Sequence, residues 1–249
     1  MALEENWARV KRHRRHLGTQ EIQGLADVLF SGQEPWLAEK LRSRNDQVLA
    51  LKILGCLGRS GSIVAADLLL KSLEEKEEGI QLAAAAALKA CPGKTLVTPL
   101  TQIMVRQGPA SAKAGEVLVS YGDRGRDALW RLWFMEHAPI RLKAQVLRLL
   151  AEAGDKRSPY LAFLALQEEE EELVRAGLQA VESAGAVELW GNVASCLTHR
   201  SWRIRGRAAL ILGMLGEKRA LPFLERMPAE ADEWVEEERQ KAVAILRRR

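Results

Sequence analysis

The side chains with the most chemical reach in this sequence are arginines. Arg203 and Arg207 stand four apart and Arg141 and Arg148 seven apart, so on a helix the members of each pair share one face. A planar guanidinium can hold a carboxylate or phosphate bidentately and also stack on an aromatic ring. A face built this way suits a partner carrying acidic and polar groups. Gln145 lies between Arg141 and Arg148, and Gln179 falls between the two arginine pairs, which adds amide groups to the same ribbon. A second cluster, Arg9, Lys11, Arg12, Arg14 and Arg15, is the densest positive stretch. It suits phosphates, anionic lipid headgroups or an acidic partner.

Constellations for catalysis are thin by comparison. Cys196 and His199 are three residues apart, but no Asp or Asn is placed to orient the imidazole, so a buried thiol is expected. Cys56, Cys91 and Cys196 are scattered, odd in number and never in a CxxC arrangement, which fits neither a disulfide framework nor a zinc site. His13 and His16 have no carboxylate or cysteine near them in sequence to complete a metal site. Asp123 and Asp127, beside Arg124 and Arg126, read as helix-start residues. Phosphate loops, dinucleotide fingerprints, HExxH and GxSxG are all missing from the sequence. No catalytic residue, metal, cofactor or small-molecule substrate is expected.

The elements that must carry these side chains are helices. In Arg203–Met227, Ile204, Ala208, Ile211, Leu212 and Leu215 form one apolar stripe, Gly216 stops the helix, and Leu221, Phe223 and Leu224 resume the pattern. Gly216 suits a left-handed C-cap, and Pro222 stands early in the next helix, where a missing N–H is tolerated. Such a hairpin cannot bury its own apolar face and needs neighbours of its kind.

Those neighbours are present. Turn markers recur at Gly58, Pro92, Gly122, Gly154, Gly185 and Gly216, at intervals of 30 to 34 residues. Ala50, Ala84, Ala114 and Ala208 all precede their markers by the same eight residues, whereas Val146 and Gly177 replace alanine in the fourth and fifth repeats. The spacing predicts helix pairs over 35–58, 61–91, 93–121, 124–153, 156–184, 187–215 and 218–248. Residues 1–34 form a basic helical cap with helices over Leu3–Leu17 and Glu21–Phe30, and 35–249 form one continuous repeat domain. Acidic runs at Glu74–Glu78, Glu168–Glu172 and Glu236–Glu238 fall near the starts of second helices, where carboxylates complement the helix dipole.

With 47% hydrophobic residues over 249 positions, the chain can bury a sizeable core. No apolar run is long enough to span a bilayer and no signal peptide is visible, which points to a cytoplasmic protein. Tethering to a membrane would require a preceding segment outside this sequence. A net charge of +4 against 33 acidic residues describes a solvated surface and is not by itself a nucleic-acid footprint.

The segment WRIRGRAALILGMLGEKRALPFLERM resembles HEAT-like repeats of the phycobilisome-lyase type, with its paired alanines, LG-x-LG turn and apolar second helix. ELVRAGLQAVESAG and VLALKILGCLG are weaker copies. The resemblance implies an all-α, right-handed solenoid of about seven hairpins, acting as a binding scaffold whose second helices line a concave surface. It transfers no catalytic residue, because the repeat consensus is a packing pattern. In this register the concave partner-binding set is Arg141, Gln145, Arg148, Gln179, Arg203 and Arg207, with Lys52, Lys113, Glu116, Glu152 and Glu172 on neighbouring positions. Ala83, Ala86 and Ala90 would leave a shallow apolar spot in the second repeat.

Seven tryptophans with arginine raise an alternative, a nucleic-acid binder akin to helical-repeat DNA glycosylases. Trp130, Trp133 and Trp190 fall on first helices and Trp36 and Trp202 near helix starts, so they are expected in core and hairpin packing. The leading expectation is a protein- or peptide-binding scaffold. Anionic membrane or nucleic-acid contact through the N-terminal block stands beside it.

Overall fold

The computed structural model describes residues 2–13, 19–228 and 231–248. Every regular element among them is helical. The chain divides into two compact units, Met1–Leu129 and Trp130–Arg249.

In the first unit α1 (Ala2–His13) and α2 (Thr19–Leu29) precede three hairpins: α3 (Glu34–Lys40) with α4 (Gln47–Arg59), α5 (Ile63–Leu73) with α6 (Glu78–Lys89), and α7 (Val97–Val105) with α8 (Ser111–Ser120). The helix α9 (Asp123–Trp133) straddles the division. The second unit continues with α10 (Ile140–Glu152). It is followed by α11 (Ser158–Ala165) with α12 (Glu171–Ala184), α13 (Trp190–Ser195) with α14 (Trp202–Leu215), and α15 (Leu221–Arg226) with α16 (Glu233–Arg248). Single 3-10 turns at Val187–Leu189, Cys196–Thr198 and Lys218–Ala220 extend the short α13 and α15. The helices of all seven pairs read from the period are present among the described residues, the fourth pair spanning the division.

The pairs α3–α4, α5–α6, α7–α8, α11–α12, α13–α14 and α15–α16 pack internally, and within each unit each second helix also packs on the next. In the first unit α2, α4, α6 and α8 therefore form one row, and in the second α10, α12, α14 and α16 form another. The stripe that sequence periodicity singled out is inside: Ile204, Ala208, Ile211 and Leu212 are at most 1% exposed. Burial of such stripes, repeated between neighbours, is what holds hairpins that have no core of their own.

The turns follow from backbone stereochemistry. Gly122, Gly154, Gly185 and Gly216 adopt positive φ of 59° to 70°, where a Cβ would be strained, and Gly185 and Gly216 are left-handed C-caps. Pro222 occupies the first turn of α15. Gly58 departs from expectation. It lies inside α4, and the left-handed glycine of that turn is Gly61, at φ 97°. Gly58 faces the next hairpin instead, where a Cβ would come within 2.6 Å of the Cys91 sulfur.

The N-terminal helices are seated on the first hairpin by aromatic rings. Trp7 of α1 meets Phe30 and Trp36 edge-on at 6.2 and 5.6 Å, and Lys40 lies 4.6 Å over the Trp36 ring while pairing with Glu4 at 2.8 Å. The end of the helix expected over Leu3–Leu17 lies outside the described residues.

Candidate functional site

The second-helix row of the second unit carries the arginines singled out above, and α12 organises them. Glu172 at its start lies 3.9 Å from Arg141 of α10, and Glu182 near its end accepts a hydrogen bond from Arg207 of α14. Gln179, half-buried, sits between these two carboxylates on the same helix. Two of the four arginine charges are thus already answered within the protein. Arg148 and Arg203 are exposed and have no ion-pair partner among the described residues.

Gln145 corrects the sequence reading. The four-three spacing places it between Arg141 and Arg148, yet it is only 9% exposed, whereas both arginines are exposed. The middle of α10 is covered where that helix packs on α11 and α12, so Gln145 belongs to the interior and not to the face.

Arg203 does not act alone. Its guanidinium carbon stands 4.7 Å over the Trp202 ring, and Trp202 meets Trp234 of α16 edge-on at 6.0 Å. Each indole is 38% exposed, so this pair is not the core packing expected of Trp202. The Trp234 ring rests on α14 where Gly206 leaves room for it. Sequence reasoning missed Trp234, Glu182 and this role of Gly206. The available signal was positional: Trp202 and Trp234 both stand at the start of a second helix, one repeat apart.

The remaining candidates separate cleanly. Trp133 is buried as expected, while Trp130 lies beside Phe134 and Tyr160, with Arg157 5.2 Å over its ring. Arg9 and Arg12 of the N-terminal cluster are exposed, but Lys11 is committed to Asp46 at 2.6 Å. Arg14 and Arg15, and His16 with them, lie outside the described residues. Lys113 reaches Glu78 at 3.7 Å and Glu116 pairs with Lys89 at 3.2 Å.

All three thiols are buried, and burial pushes Cys91 and Cys196 up to about 11, which leaves them protonated and unreactive near neutrality. Cys196 donates to the Asn192 carbonyl, and His199 Nδ1 accepts from the Ser201 amide, so the two are not paired with each other. Asp123, at the start of α9, pairs with Arg126. No described helix is long and apolar enough to cross a membrane.

Within each unit, helical hairpins repeated at one period with successive second helices packed in a row define the class: an all-α, solenoid-type helical repeat. No protein-family model matches the chain, and no curated protein sequence does. Among solved structures it is similar to human deoxyhypusine hydroxylase in complex with glycerol, at 14% identity and a TM-score of 0.42, over 100% of this chain and 98% of that one. It is also similar to a designed armadillo repeat protein, at 17% identity and 0.43, over 85% and 99%. A third likeness is to the complex of CpcE and CpcF of phycocyanin lyase from Nostoc sp., at 18% identity and 0.36, over 86% of each chain.

Proposed function

We propose that this chain is a scaffold that binds a protein or peptide partner on the second-helix face of its C-terminal unit. One observation carries the reading: an exposed indole pair, Trp202 and Trp234, with the Arg203 guanidinium stacked on it. Water-exposed tryptophans are costly to leave uncovered, and Trp with Arg is the composition that dominates protein interfaces. Arg148 adds a second free donor group on the same row of helices, and Gln179 adds an amide between them. Arg207 contributes less to a newcomer, since it would have to give up the Glu182 carboxylate, whereas Arg141, exposed and 3.9 Å from Glu172, is only loosely engaged.

The test is co-purification from the native host with the tagged full chain, comparing wild type with a Trp202→Ala, Arg203→Glu variant. Arg207 is left intact because reversing it would set two carboxylates against each other at Glu182. Specific partners lost by the variant, with helicity unchanged, support the reading. Partners retained in full would move the site elsewhere. Tight binding to random duplex DNA that falls steeply between two salt concentrations would replace the scaffold with a nucleic-acid binder, because counterion release is the signature of phosphate contact.

A further inference from the structure

The second-helix row of the N-terminal unit has a different character. Between α2, α4 and α6 it encloses an open, mostly apolar groove of about 280 Å³. The cause is legible in the side chains. The face that α6 presents carries only methyl groups, at Ala83, Ala86, Ala87 and Ala90, so nothing from α6 fills the space. Gly55 lets α4 approach α6 until a Cβ there would be 2.9 Å from that of Ala87, which closes the floor beneath. Val48, at the mouth, is 53% exposed.

Two cations line this apolar space. Lys52 and Arg59 of α4 are both exposed, stand two helical turns apart, and have no ion-pair partner among the described residues. The carboxylate on the α2 side, Asp27, accepts hydrogen bonds from Ser60 at 2.7 Å and from Gln23 at 3.0 Å. The volume lies just below the range of about 300 to 1,000 Å³ usual for small-molecule sites, which suits one or two anchoring side chains better than a whole ligand.

We infer that this groove receives an acidic amphipathic helix from a partner protein. One or two large apolar side chains enter the alanine-walled cavity, and carboxylates seven residues apart meet Lys52 and Arg59, whose spacing along α4 is about 10 Å at 1.5 Å per residue. The site is independent of the arginine and tryptophan face of the other unit.

The probe is a fluorescein-labelled synthetic peptide of about 18 residues, carrying leucines at i, i+3 and i+7 and glutamates at i+4 and i+11. It is titrated into the full chain alongside a version with alanine for leucine and a version with lysine for glutamate. The acidic leucine peptide is expected to bind at least about tenfold more tightly than either control. Ala86→Trp, at an exposed helix position, fills the groove and removes that preference. Lys52→Glu with Arg59→Glu removes the dependence on glutamate, most clearly at low salt. Trp202→Ala with Arg203→Glu leaves peptide binding unchanged, which separates this site from the proposed interaction face. Equal binding of the three peptides, or binding that survives Ala86→Trp, overturns the inference. So does capture of dodecanoate in preference to the peptide, which would assign the groove to a lipid chain.

Discussion

The Trp234 ring lies so close to Gly206 that a Cβ built on the glycine would fall 2.1 Å from the indole Cζ3 atom. Gly206→Ala must therefore move the ring. Because Trp234 is 38% exposed, it has somewhere to go, and the added methyl also favours helix. The expected cost in stability is small, about 1 kcal/mol or less. The expected change in tryptophan fluorescence and near-UV circular dichroism is large. An unaltered spectrum would show that the indole does not rest there in solution.

Gly125 is the contrasting case, because the obstacle is backbone. A Cβ there would stand 1.7 Å from the Leu118 carbonyl oxygen, in the tight turn where α9 folds back on α8. No rotamer change relieves that contact, so Gly125→Ala should destabilise by about 3 kcal/mol or more. Chemical denaturation measures it, and a midpoint within error of wild type would refute the packing described.

At Gly216 the issue is conformation. Its φ is 70°, so the cost of Gly216→Val is that of a left-handed β-branched residue, roughly 1 kcal/mol or more. Gly216→Asn, which tolerates that region better, should recover much of the loss. Equal midpoints for the two variants would show that φ is not the controlling quantity.

These three glycines show what could be read from the sequence and what could not. Gly216 was legible because it ends an apolar stripe and recurs with the period. Gly206 and Gly125 were not, since a glycine that admits a ring or a carbonyl from a distant residue looks in sequence like any other. Gly58 was misread for the same reason. The LG-x-LG pattern in α4 places glycines that let α6 and Cys91 approach, and the turn itself belongs to Gly61. Among candidate site residues, the periodicity put Arg141, Arg148, Arg203 and Arg207 outside the buried stripes, where the structure also has them. It could not tell that α12 supplies Glu172 and Glu182 to two of them, nor that Gln145 is covered. Those facts depend on how neighbouring helices meet.

Acid should loosen the N-terminal helices first. The Lys11 ammonium, hydrogen-bonded at 2.6 Å, holds the Asp46 carboxyl below its ordinary value of 3.8, against a smaller opposing effect of burial. A depressed folded value means the contribution is present above the unfolded value and is lost as pH falls through the folded one. Between about pH 5 and about pH 2 the wild type should therefore lose more thermal stability than Asp46→Asn, which has no such charge to lose. Parallel curves for the two proteins would rule out the Lys11–Asp46 contact as the source.

The hydrogen bonds that tie one hairpin to the next span short stretches of chain: Gln23 reaches Ser60 across 37 residues, Tyr121 reaches Leu88 across 33, and Arg207 reaches Glu182 across 25. Each is roughly one repeat in length, so closing the chain onto itself costs little entropy at any step. Proteins with such low contact order fold quickly, on microsecond to millisecond timescales. The same locality makes the chain modular in length: an in-frame duplication of a whole hairpin would add an interface of the kind already present. Insertion of half a hairpin would leave a helix with no partner.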